Sequence, residues 1–200
     1  MQHEITIPLC YLQAIRLFAP KNDIRFYLNG VAILRGHVVA TNGHYIGAIR
    51  HMGDDTLPQI IIIPGSAIDF YVKKAGRSSV KDVSVQWGER KGVLTNGNAS
   101  EYFEPIEGVF PQFERVLCSH AEASGNPQFQ WHYVALFEKA SEILGATRKQ
   151  EFKAFVLPNG DEGCARVLLP DCPSFEGAIM PIRSKATAGM RERIAAEGLV

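Results

Sequence analysis

Two hundred residues, 46% hydrophobic and 21% charged, are globular-protein usage and exclude disordered and fibrous classes. Lys and Arg number 21 and Asp and Glu number 21, so the formal net charge is zero and any charged partner has to be met by a local patch. The longest purely apolar run, Ile60 to Ile63, is too short to span a bilayer, and Met1-Gln2-His3-Glu4 lacks the basic and apolar regions of an export signal; a soluble, cytoplasmic chain with no membrane partner is expected.

Alternation in His3-Glu4-Ile5-Thr6-Ile7 predicts a strand, and Pro8 suits the entry to a helix, where its missing N–H would be an orphan donor anyway. Leu9, Leu12, Ile15, Phe18 and Ala19 then keep helical spacing until Pro20. Ile24 to Leu28 alternates, Asn29-Gly30 is a short hairpin signal, and Val31 to Leu34 returns. Val38 to Thr41 predicts another strand, turned at Asn42-Gly43 into Tyr45 to Ile49. The order then recurs: a strand from Ile60 to Ile63, and a helix entered through Pro64-Gly65-Ser66 with Ile68, Tyr71, Val72 and Ala75 on one face, stopped by Gly76. Strands follow at Val83 to Trp87, Gly92 to Thr95 and around Tyr102-Phe103. Beyond a Ser-, Ala-, Gly- and Asn-rich stretch it recurs a third time. Phe129-Gln130-Trp131 predicts the strand and Tyr133 to Leu144 the helix, ended by Gly145, with further strands at Phe152 to Leu157, Cys164 to Leu169 and Phe175 to Ile182. The tail from Ala186 either adds a short helix through Met190, Ile194 and Ala195 or frays.

Three loosely similar strand-helix-strand-strand-strand units therefore start near residues 4, 60 and 128, an α+β pattern. Each unit reads as an antiparallel sheet with one helix on one face, which leaves apolar surface for a second unit to cover. Units one and two make a complete domain, and unit three is a half without an evident partner.

No catalytic constellation assembles. His44 lies in a tight turn with no base-and-cleft arrangement around it, and Asp54-Asp55 and Asp161-Glu162 sit beside glycines as solvated turn residues. There is no Gly-rich phosphate loop, H-E-x-x-H or G-x-S-x-G, so a non-catalytic protein is expected. Cys10, Cys118, Cys164 and Cys172 form no C-x-x-C and read as reduced packing residues, with no metal and no cofactor implied. Arg16 and Lys21 lie on or after the first helix and Lys73, Lys74 and Arg77 at the end of the second. Cations there complement a helix dipole without any nucleic acid; alternatively they line a face that touches the phosphate backbone without sequence choice. The third helix is not basic, since Glu138 and Glu142 flank Lys139.

Four ordered segments carry a resemblance: Arg25-Phe26-Tyr27-Leu28-Asn29-Gly30, Val39-Ala40-Thr41-Asn42-Gly43-His44, Phe110-Pro111-Gln112-Phe113-Glu114-Arg115-Val116-Leu117 and Ile179-Met180-Pro181-Ile182-Arg183. Together they resemble successive signatures of the bacterial sliding clamp, the beta subunit of DNA polymerase III. That resemblance implies a DNA-clamp fold with antiparallel sheets outside and helices inside, facing the hole of a ring around double-stranded DNA. It implies residues 1–117 as a whole middle domain, 118–127 as a linker, 128–184 as the second half of a third domain and 185–200 as a tail. It also implies a pocket between the two, where DNA polymerase and repair partners insert a short, partly apolar peptide. The matching positions are Leu28, Thr41, Gly43, His44, Tyr45, Ile46, Pro111, Arg115, Val116, Ala178, Met180, Pro181, Ile182 and Arg183. Tyr45 departs from the basic residue common at its place and Ser184 replaces an apolar end residue. Arg25, Phe26 and Tyr27 neighbour positions that contact DNA in the family, and otherwise pair across the sheet.

The leading expectation is a shortened clamp, a polymerase processivity factor. Its ring would close by pairing unit three with its copy, and four chains would supply the dozen helices of such rings, giving a homotetramer. The alternative is a non-ring mimic that binds or competes for clamp-binding peptides.

Overall fold

The computed structural model describes residues 3–51, 60–75, 81–117, 125–145 and 154–196. Strand β1 (His3–Pro8) runs into helix α1 (Leu9–Arg16), with Pro8 the last strand residue before the helix. Strands β2 (Gly30–Leu34), β3 (His37–Thr41) and β4 (Tyr45–Arg50) follow as a meander. The turn between β2 and β3 places Arg35 and Gly36 both at positive φ, the two-residue form that matches strand twist. The second unit repeats the order as β5 (Ile61–Pro64), α2 (Gly65–Ala75), β6 (Asp82–Trp87), β7 (Gly92–Thr95) and β8 (Ser100–Phe103). After the single turn α3 (Glu114–Leu117) come α4 (Trp131–Ile143), β9 (Phe155–Asn159), β10 (Gly163–Leu168), β11 (Phe175–Ile179) and α5 (Ser184–Ala196).

The units are not separate sheets. Every strand pair is antiparallel, in a four-stranded sheet β1-β6-β7-β8 and a seven-stranded sheet β5-β2-β3-β4-β11-β10-β9. This corrects the one-sheet-per-unit reading: units one and two exchange their first strands. β1 lies on β6 with Ile7 opposite Val83, and β5 lies on β2 with Ile63 opposite Val31. Periodicity reports which residues of a strand are buried and not which unit supplies its neighbour.

Two further expectations are corrected. Ile24 to Leu28 is a 3₁₀ turn at Phe26–Leu28 and not a strand, and Asn29-Gly30 makes no hairpin. Local side-chain bonds compete with the ladder there: Asp23 Oδ1 accepts from the Arg25 N–H, while the Asn29 amide accepts from Asp23 N and donates to Asp23 O. Phe129-Gln130-Trp131 is likewise no strand; residues 125–130 are irregular and Trp131 opens α4. The equivalent segments β1 and β5 are held as strands by another unit, and here no second strand lies alongside among the described residues. The tail is helical, Gly76 lies outside the described residues, and among the described cysteines Cys10, Cys164 and Cys172 are free thiols. No helix among the described residues is long and apolar enough to cross a membrane.

One apolar cluster joins both sheets to α1, α2 and α4 through Leu12, Ile15, Ile68, Tyr71, Val31, Val83 and Phe137, and a second lies on the opposite face of the seven-stranded sheet under Phe110, Phe113 and Leu117. Unit three is fastened to unit one by β4–β11 pairing and by three fully buried rings. Phe18 lies 5.0 Å from Phe137 and 5.9 Å from Phe175, edge-on or tilted to each. Truncating Phe137 to Ala is expected to cost about 3–5 kcal/mol in urea denaturation. The same change at exposed Phe70 should stay within about 0.5 kcal/mol, and equal effects would contradict this packing.

Candidate peptide-binding site

Pairing β11 with β4 sets Ala178 beside Ile46 and Ile179 beside Tyr45, so the end of unit three meets the β3–β4 turn of unit one. The Met180 N–H donates to the His44 carbonyl at 2.7 Å and clamps the two together. The turn is built by short polar side chains. Thr41 Oγ1 donates to Tyr45 O and accepts from the Gly43 N–H, and Asn42 Oδ1 accepts from the His44 and Tyr45 N–H groups. Gly43 takes φ +87°, a left-handed conformation that favours glycine, and the Arg25 guanidinium packs over the space a Cβ would enter. On the helix side, Tyr133 of α4 braces the turn, stacked on His44 and edge-on to Tyr45 at 4.8 Å.

A cavity of about 290 Å³ opens at this seam. Leu28, Ile46, Phe113 and Ala178 give it a buried apolar floor, while Val116 and Met180 are partly exposed walls. Thr41, Gly43, His44, Tyr45 and Pro111 complete the expected residues that line it. Arg115, Pro181, Ile182 and Arg183 are not among the lining residues; Arg115 and Arg183 are exposed, and Pro181 and Ile182 are half-buried beside Met180. Gln112, Phe113 and Cys164 line it without having been singled out. The first two lie inside a quoted segment, whereas Cys164 enters through β10, whose place beside β11 no local pattern announces.

Arg25 and Tyr27, grouped with DNA-facing positions on sequence, also line this cavity, and exposed Phe26 packs edge-on against Tyr27. Arg25 is held by Asp23 through two side-chain bonds and donates to the Asn42 carbonyl at 2.7 Å. Burial pushes the Cys164 thiol and the Tyr45 hydroxyl above their ordinary values, which keeps both neutral. Those states suit a binding surface and offer no activated nucleophile.

The expected DNA-facing cations are placed unequally. Arg16, only 12% exposed, bonds Gly65 O and Ala19 O and pairs with Asp69 at 2.9 Å, which makes it a brace between α1 and α2. Lys74 pairs with Glu101 of β8. Lys73 lies over the Phe70 ring, and exposed Lys21 shares with it a groove of about 620 Å³ between α1, α2 and α4. Arg77 lies outside the described residues.

Among solved structures, the DNA polymerase III subunit beta of Pseudomonas aeruginosa superposes with TM-score 0.69 at 15% identity over 90% of this chain and 66% of its own. The chain has the fold of the bacterial sliding clamp. Caulobacter crescentus pol III beta matches this clamp fold with TM-score 0.70 at 16% identity, covering 91% of this chain and 66% of its own. The Thermotoga maritima beta subunit gives 0.67 at 10% identity, covering 90% and 65%. The chain thus spans just under two thirds of the clamps it matches. No family model and no curated protein matches it.

The bracing of the clamp-fold turn has a pH signature. Hydrogen bonds from the Arg25 side chain, then from the Arg25 N–H, hold the Asp23 carboxyl down at about 2, against an ordinary 3.8. A depressed folded value means the ionised brace contributes above pH 3.8 and is lost as pH falls through about 2. A carbon-detected NMR titration should give the Asp23 carboxyl a midpoint near 2, and a midpoint near 3.8 would contradict the brace.

Proposed function

We propose that this chain is a shortened sliding clamp: a non-catalytic, cytoplasmic processivity factor that receives short, partly apolar peptides of DNA polymerase and repair partners at the seam between units one and three. Residues 1–117 serve as a complete clamp domain, 128–184 as a half-domain joined to it by 118–127, and 185–200 as a C-terminal tail, helical as far as Ala196. Several copies, four by the count of α1, α2 and α4 against a dozen ring helices, encircle duplex DNA.

The observation that carries this reading is the cavity itself. Segments around residues 28, 43, 113 and 178 converge on about 290 Å³ with an apolar floor and a polar rim, the makeup of a site for one or two apolar side chains with orienting hydrogen bonds. Met180 supplies an adaptable wall for varied ligands. Exposed Arg115 and Arg183 flank it on the neighbouring segments, where guanidinium forks suit a partner's acids or carbonyls. On the helix side, zero net charge and a sparse set of cations suit a duplex that is encircled and touched lightly, without sequence readout.

A fluorescent clamp-motif peptide is expected to bind saturably. Met180→Asp, at a 40% exposed wall residue, should weaken it by about tenfold or more while leaving the circular dichroism unchanged. Griselimycin, bound to one of the similar P. aeruginosa clamps, is a second probe for the same assay. Absence of peptide binding, or a Met180→Asp variant that binds like the parent, would contradict the pocket assignment.

A further inference from the structure

The three units can be laid over one another through their hydrogen bonds, and unit three then has both halves of an unmade contact. In units one and two the residue opening each helix donates its N–H to the residue just before the receiving strand of the other unit: Leu9 to Lys81 O at 2.8 Å and Gly65 to Asn29 O at 3.0 Å. Their equivalents in unit three are Trp131, the first residue of α4, and Ala154, just before β9. Three residues before the helix, Ile62 O accepts from Ile106, beyond the fourth strand of its unit; Gln128 O, three residues before Trp131, accepts from Ile182, also beyond a fourth strand. Segment 127–130 therefore occupies the place of β1 and β5, and among the described residues no strand pairs with it; the residues just before it meet the β9–β10 turn of the same chain, where the Asn126 N–H donates to Asp161 Oδ1 at 2.8 Å. β9, the equivalent of β2 and β6, is the terminal strand of its sheet among the described residues.

Exposure agrees with topology. Val156 is 37% exposed where its counterparts Val31 and Val83 are at 0%, and Trp131 is 85% exposed where Leu9 is at 8%. Phe155 and Leu157 add exposed apolar surface to the same strand. A bare apolar edge strand of this kind is a pairing template.

We infer that a second copy of this chain covers this edge by reciprocal exchange: segment 127–130 of each copy lies antiparallel on β9 of the other, about a two-fold axis. A second copy is the fitting occupant because one unit presents both the donor segment and the receiving edge, which makes the surface self-complementary. The exchange already joins units one and two within the chain. Their registers set Pro8 opposite Asp82 and Pro64 opposite Gly30, so Gln130 falls opposite Phe155 and Phe129 opposite Val156. Phe129 already packs against the main core on its helix-facing side, where Val156 would meet it. The Trp131 N–H then finds the Ala154 carbonyl of the second copy. This inference rests on the ring reading only for how many copies follow; the contact itself needs neither DNA nor peptide.

The test uses the full chain with Gln130→Cys and Phe155→Cys combined, oxidised at micromolar concentration and read on a non-reducing gel against the parent and each single variant. The double variant should give a covalent dimer that the others do not. Light scattering of the parent should show a multimer, and Val156→Asp and Trp131→Glu should each raise its dissociation constant by about tenfold or more with peptide binding and circular dichroism retained. A multimer without the double-variant cross-link overturns this contact while leaving a ring possible. A dimer from Phe155→Cys alone means β9 pairs with β9 and also overturns it. A monomer at micromolar concentration overturns both the contact and the ring.

Discussion

Antiparallel pairing of β4 with β11, from Phe175 opposite Ile49 to Ile179 opposite Tyr45, is the contact on which the remaining features depend. It makes one seven-stranded sheet of strands from all three units. It also places Ala178 and Met180 against the Thr41-to-Ile46 turn, so the cavity exists only because that ladder is in register. A slip of one residue would turn Ala178 and Ile179 to opposite faces, moving the floor of the cavity into the helix layer and emptying the aromatic contact of Phe18, Phe137 and Phe175. Packing and site geometry are thus two consequences of the same five residue pairs.

Strand exchange imposes the second constraint. β1 and β5 each complete the sheet of the other unit, so units one and two are interlocked, and neither has a full set of strands alone. Arg16 adds a polar brace across the helices of that pair through Asp69 and Gly65 O. Unit three follows the same plan, and among the described residues no second unit exchanges a strand with it, which accounts for an irregular segment 125–130 and an apolar β9 edge in one stroke. Repeat and edge exposure agree: among the described residues, units one and two exchange strands and unit three exchanges none.

Much of this was legible in the residues. Period-3.6 spacing through Leu9, Leu12 and Ile15 and through Ile68, Tyr71 and Ala75 located α1 and α2, and alternation located β6, β7 and β10. The four resemblance segments contained eleven of the residues that line the cavity, since those motifs are the turn and segment ends that converge there. Partner choice among strands was not legible, because Ile5 and Ile7 read alike whichever sheet receives them. The Ile24-to-Leu28 alternation misled because Asp23 and Asn29 supply local hydrogen bonds that no hydrophobic period reveals. Arg25 entered the cavity by its reach to Asn42 O, a contact seventeen residues away in sequence.

The central claim is topological tethering of a protein with no net charge. The direct measurement mixes the dilute chain with nicked circular duplex, concentrates the mixture so that copies assemble around it, and passes it through gel filtration at high salt, where patch-like electrostatic binding is screened. The account predicts that protein stays with the circles and is released when they are cut once to linear form. Equal retention, or equal loss, on circular and linear DNA would contradict it.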